Sequence, residues 1–101
     1  GWWHWVVANI PANVERLPSG AGSAGGKLPA GSVQARNDFG ESSFGGACPP
    51  VGDKPHHYVL TVWALDTESL PVTAQTGAAM LGYMLNQHKI AKTSITATYG
   101  R

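Results

Sequence analysis

Gly45-Gly46-Ala47-Cys48-Pro49-Pro50-Val51-Gly52-Asp53-Lys54-Pro55-His56-His57-Tyr58 is the stretch on which the fold turns. It holds three prolines, three glycines, two adjacent histidines and the only cysteine of the chain. A regular helix and a central strand are both excluded there, because proline brings no backbone donor and glycine marks bends or close backbone approach. Immediately after it, Tyr58-Val59-Leu60-Thr61-Val62-Trp63-Ala64-Leu65 is rich in β-branched and aromatic residues and is expected to be a buried strand. A stiff, polar-tipped loop therefore opens at the mouth of a strand, the arrangement in which a rigid scaffold positions binding residues.

Working outward, residues 3–10 are strand-like and end at Ile10-Pro11, where proline stops ladder pairing. With three tryptophans in the first five positions, this opening is expected to be buried or in a cleft, and to be covered by polypeptide upstream of residue 1. Val14 to Leu17 is a short strand or turn, and the glycine-rich run Pro18 to Gly26 is a surface loop. Val33 to Asn37 is a short strand, and Asn37-Asp38-Phe39-Gly40 a turn. Downstream of Pro71, the spacing predicts one helix from Val72 to about Lys89, with Ala74, Ala78, Leu81, Leu85 and His88 on one face. Thr93 to Tyr99 alternates Ile95, Ala97 and Tyr99 against Ser and Thr as a final strand. The sum is a mainly β chain, a sandwich with helix near its C-terminus.

Composition narrows the class. An apolar share of 43% rules out compositional disorder, and 13% charged residues with abundant glycine favours a loop-rich β domain over a helical bundle. A net charge of +1 gives no electrostatic reason to expect nucleic acid or an acidic membrane surface. No apolar run reaches the ~18 residues of a membrane span. One cysteine allows no intrachain disulfide.

Two blocks carry a resemblance. Trp3-His4-Trp5-Val6-Val7-Ala8-Asn9-Ile10-Pro11, preceded by Trp2, is similar to the pattern W-x-HW-V-V-x-NIP. Gly45 to Tyr58 resembles YGGPCPPxGxxHRY, and Arg36-Asn37-Asp38-Phe39-Gly40 resembles the RNDFG of bacterial members. On these blocks the chain is identified as a member of the phosphatidylethanolamine-binding protein family, also called Raf kinase inhibitor proteins, in its bacterial YbcL/YbhB-like branch. The resemblance implies a Greek-key antiparallel β-sandwich with one or two helices near the C-terminus. It also implies a small cavity that takes phosphate, acetate or phosphoryl head groups. By matched position the cavity residues would be Trp2, His4, Gly46, Cys48, Pro49, Pro50, His56 and Tyr58. Phe44 stands where the family commonly has Tyr, and His57 where it commonly has Arg. The family's DPDAP segment, which contributes a cavity aspartate, has no counterpart in these 101 residues. Residues 1–101 are thus expected to be a family domain without its N-terminal strands, with the N-terminal part as a second polypeptide. The resemblance further implies a homodimer. It also implies a second cysteine in the N-terminal part with which Cys48 would pair, which would fit a periplasmic or secreted protein. A buried free thiol is the other reading of Cys48.

The residue chemistry is consistent with anion binding. Histidine rings donate hydrogen bonds and become cationic near pH ~6.5. Backbone N–H groups of a glycine-rich loop form anion-holding nests, and Pro49-Pro50 reduces the entropy lost on binding. Alternation places His56 and His57 on opposite sides, with His56 inward. No cofactor and no catalytic residue are expected. A protein-interaction module, inhibiting a kinase or protease and not using the cavity as its main function, is the alternative. A metal-dependent enzyme using His4, His56, His57 and Cys48 is the minor one, since no zinc spacing such as C-x₂-C or H-E-x-x-H is present.

Overall fold

The computed structural model describes residues 2–101. The chain is mainly β with one helix. In order come β1 (Val7–Ala8), β2 (Val33–Gln34), β3 (His56–Leu65), α1 (Ala78–His88) and β4 (Lys89–Tyr99). They make two antiparallel two-stranded sheets, β1 with β2 and β3 with β4. Among the described residues no helix is long and apolar enough to cross a membrane.

The long ribbon follows from period-2 alternation. Tyr58 pairs with Ala97, Leu60 with Ile95 and Val62 with Thr93, with one irregularity between Ala64 and Leu65. Directly opposed residues share a face, so His56, Tyr58, Leu60 and Val62 lie with Tyr99, Ala97, Ile95 and Thr93. The reverse face carries Thr61 against Ser94, joined hydroxyl to hydroxyl at 2.8 Å. There Lys92 Nζ also lies 4.8 Å from the centre of the Trp63 ring, within cation–π range. The expectation of a buried strand is only half met. Trp63 and Leu65 pack on the core, but Leu60 and Val62 are 50% and 64% exposed, because alternation puts them on the opposite face of the ribbon.

The core forms where α1 lies over the short sheet. Leu81 is fully buried, with Leu85 and Ala78 on the same face, against Val6, Ala8 and Ala35. Leu70 and Val72 reach this core from the loop before the helix. The helix begins at Ala78, not Val72, and Ala74 is exposed outside it. Residues 73–77 spend their backbone groups elsewhere. Thr76 N donates to Thr73 O, Thr73 N to Thr76 Oγ1 and Gln75 N to Thr73 Oγ1. Arg36 N then donates to Thr76 O. This hydroxyl-based turn competes with the first helical turn and wins. At the other end His88 is half-buried and tied to the β3 exit twice, Asp66 N to His88 O at 2.9 Å and His88 Nδ1 to Asp66 Oδ1 at 2.8 Å. The chain enters β4 without a loop, so that strand begins at Lys89 rather than Thr93.

The opening segment also departs from expectation. Only Val7–Ala8 is strand, because the backbone of Trp3 and His4 bonds to residues 38 and 45 instead. Asn9 ends the strand in the left-handed region, φ 62°. Its side chain then acts as a strand partner would, donating Nδ2–H to Leu70 O (3.1 Å) and accepting Leu70 N–H at Oδ1 (2.7 Å). Asn9→Ala should cost about 2–3 kcal/mol, two hydrogen bonds plus the left-handed penalty. Asn9→Gly should cost about 1 kcal/mol less, since glycine carries no such penalty. Urea midpoints of the two variants check this order; equal midpoints would remove the backbone term.

Candidate functional site

His4 sits where two loops meet. Its carbonyl accepts hydrogen bonds from Gly45 N (2.8 Å) and Asn37 Nδ2 (3.1 Å). One residue earlier, Trp3 N donates to Asp38 Oδ2 (2.6 Å) and Trp3 O accepts from Asp38 N (2.9 Å). The His4 backbone is therefore held from both sides before its ring is considered. The ring is then oriented by Nδ1, 3.0 Å from the Gly45 carbonyl. A carbonyl only accepts, so Nδ1 carries the proton. In the neutral ring Nε2 is then an acceptor, and it becomes a donor only in the imidazolium.

Around His4 the rings form a chain. Phe39 stands edge-on to His4 at 5.2 Å and Tyr58 at 5.3 Å. Trp2 packs edge-on to Phe39 at 5.5 Å, and His56 stacks on Tyr58 at 6.4 Å. Segments far apart in sequence thus bring two imidazoles to one phenol, His4 edge-on and His56 stacked. Gly45 has to be glycine here, because a Cβ would lie 2.5 Å from the Phe39 ring. Trp3 and Trp5 are half-buried, but Trp2 is 59% exposed, contrary to the expectation of a buried aromatic opening.

The second block divides. His56 and Tyr58 are half-buried and join the ring chain, and His57 is exposed. Pro49 is fully buried and Pro50 and Gly46 are exposed. Cys48 is a free, exposed thiol, so the buried-thiol reading does not hold. Its polar neighbour is the Arg101 guanidinium, 3.7 Å from Sγ, while Arg101 Nε donates to Pro49 O at 2.8 Å. Cys48 thus lies beside a cation. Among the described residues no three His, Cys, Asp or Glu side chains converge to hold a metal ion.

Sequence reasoning missed three contributors. Asp53 lies 3.1 Å from His56 Nε2, which commits that nitrogen and brings a carboxylate to one edge of the site. Phe39 supplies the ring between Trp2 and His4. Asn37 is buried and holds the turn from within: Nδ2 donates to His4 O and Ser43 O, and Oδ1 accepts from Phe39 N and Glu41 N. The signal for Asn37 and Phe39 is the Arg36–Gly40 block, which as a family signature marks the place and leaves the role of each residue unstated.

Comparison with known proteins settles the lineage. The sequence model of the family described as "Phosphatidylethanolamine-binding protein" matches residues 1–100. The chain belongs to the phosphatidylethanolamine-binding protein family. Within it, the chain lies on the YbcL/YbhB-like branch. It is 61% identical over 100 residues to UPF0098 protein YbcL of Escherichia coli (strain K12), covering 98% of this chain and 55% of that protein. To UPF0098 protein YbhB of the same organism it is 46% identical over 99 residues, covering 98% and 62%. The crystal structure of E. coli YbcL, described as a new member of the mammalian PEBP family, superposes with a TM-score of 0.95 at 60% identity. All of this chain is covered, and 62% of that one. The chain thus spans little more than half of YbcL's length.

Proposed function

We propose that this chain is a binding module of the family, taking a small anion or phosphoryl group at the His4–Tyr58–His56 cluster within a Greek-key β-sandwich. The observation that carries the reading is the pair of imidazoles packed on Tyr58, with His4 pinned at its backbone and at Nδ1. Pinning at Nδ1 leaves Nε2 of His4 as the nitrogen available to a ligand. An anion arriving there draws a proton onto the ring, because only the imidazolium donates from both nitrogens. Phe39, Trp2 and Tyr58 offer flat apolar walls for the carbon atoms of a head group. Asp53 works against a dianion on the His56 side, so His4 carries the larger share.

One charged histidine–phosphate hydrogen bond contributes on the order of 1.5–3 kcal/mol. Association costs consume much of two such bonds, so binding should fall between micromolar and millimolar, about −4 to −8 kcal/mol. Titration with inorganic phosphate, followed by NMR of the histidine rings, should give a saturable shift at both His4 and His56. Either His4→Ala or His56→Ala should abolish the shift at the remaining histidine. Unchanged shifts in both variants would sink the assignment. The proposed role is binding, and the polar contact of the one thiol is with the Arg101 guanidinium.

A further inference from the structure

Among the described residues, Asp53 is the carboxylate that reaches a ring of the cluster, with Oδ2 3.1 Å from His56 Nε2. Its place is fixed by the backbone. Gly52 holds a positive φ of 90°, the third position of a turn that Asp53 N closes onto Pro50 O at 3.2 Å. Gly52 N donates to Arg101 O at 3.0 Å, which ties the turn to the residues after β4. An ionised carboxylate only accepts, so the proton of a neutral His56 ring sits on Nε2 and Nδ1 is left as an acceptor. His4 is arranged alike with its nitrogens exchanged, Nδ1 held by the Gly45 carbonyl and Nε2 left over. Each ring therefore offers its free nitrogen to an anion as a donor only when it is an imidazolium.

The charge of the loaded site follows. Two imidazoliums bring two positive charges, and Asp53 offsets one of them. Asp38, whose Oδ2 takes the Trp3 amide, is the other carboxylate bonded into this neighbourhood, and it pushes the same way. At most one net positive charge is left among these groups. One negative charge on the ligand neutralises it, and a second overshoots. We infer that Asp53 is a specificity-determining residue of the site, a charge filter that favours singly charged oxyanions over dianions such as a phosphomonoester. The inference rests on the anion reading proposed above and narrows its class of ligand. The chemistry selected is an oxyanion with a single charge, whether phosphodiester or carboxylate. Side chains of His56 and Asp53 are 43% and 49% exposed, so the discrimination is that of a partly screened pair, about two- to fivefold and smaller in salt.

The test titrates three probes into the 101-residue chain at about pH 7.5 and low salt, followed by NMR of the His4 ring. Methyl phosphate is mostly a dianion at that pH, dimethyl phosphate is a monoanion, and acetate is a monoanion of another shape. In the parent, methyl phosphate should bind no more tightly than dimethyl phosphate, despite its extra charge. Asp53→Asn keeps an oxygen available to His56 Nε2 and removes the charge. It should raise the affinity for methyl phosphate about two- to fivefold relative to both monoanions, a gain that salt at about 0.5 M should shrink. Asp53→Glu returns the charge and should return the parent's ratio. A ratio of methyl to dimethyl phosphate that Asp53→Asn leaves unchanged would overturn this inference alone. So would acetate gaining as methyl phosphate does, because selection would then not follow charge. Loss of all three probes in Asp53→Asn would also overturn it, making the carboxylate a support for His56. No shift at His4 with any probe in the parent would overturn the anion reading itself, and the filter with it.

Discussion

Asn37→Ala should destabilise the chain by about 3–5 kcal/mol, near the upper end for a single substitution. Asn37 is 3% exposed, and its amide makes four hydrogen bonds to backbone groups of His4, Phe39, Glu41 and Ser43. Each such bond is worth about 1 kcal/mol net, and its loss leaves a partner unsatisfied at further cost. The side chain cannot be replaced by water without opening the turn, because the donors and acceptors converge from four directions. Asn37→Asp separates the terms. It keeps the acceptor toward Phe39 N and Glu41 N but turns an oxygen toward two carbonyl oxygens, and it should be at least as damaging. Urea denaturation of both variants at neutral pH checks this; a loss below about 1 kcal/mol in the alanine variant would show that the turn holds without its amide. The functional consequence is specific. His4 loses one of the two bonds to its carbonyl, so even at a temperature where the variant is folded the phosphate response should weaken.

Leu81→Ala should cost about 2–5 kcal/mol, the range for deleting a fully buried leucine whose surroundings collapse only in part. Leu81 has no exposed surface and stands between Ala78 and Leu85 on the helix face that meets Val6, Ala8 and Ala35. Small alanines on the opposing surface let the backbones approach closely, so little side-chain volume is available to refill the space. Met80, one position earlier and 56% exposed, is the internal comparison. Met80→Ala should fall within about 0.5 kcal/mol of the parent. A larger effect at Met80 than at Leu81 would mean the helix presents a different face to the core.

The strongly periodic elements are legible in the amino-acid order. The apolar run ending at Leu65, the alternation of Thr93 to Tyr99 and the stripe Ala78–Leu81–Leu85 each carry their own signal, because side-chain period and secondary structure are locally coupled. The family blocks are equally legible, since order and spacing are sequence properties. Element boundaries are not. Residues 72–77 have helical spacing, yet Thr73, Thr76 and the approach of Arg36 divert their backbone groups. Trp3 and His4 have the composition of a strand, yet pair with a loop more than thirty residues away.

By itself the sequence determined the membership of this chain, its mainly β character with one helix, and the residues from which a binding site would be drawn. Only the tertiary structure decided which of them meet. Phe39, Tyr58 and His56 reach His4 through contacts that no local pattern encodes, and Asp53 and Asn37 acquire their roles from partners brought there by folding. The open edge of β3 is likewise invisible in one dimension. A strand that pairs on both sides and one that pairs on a single side are written with the same apolar residues, because pairing runs through the backbone, which every residue shares.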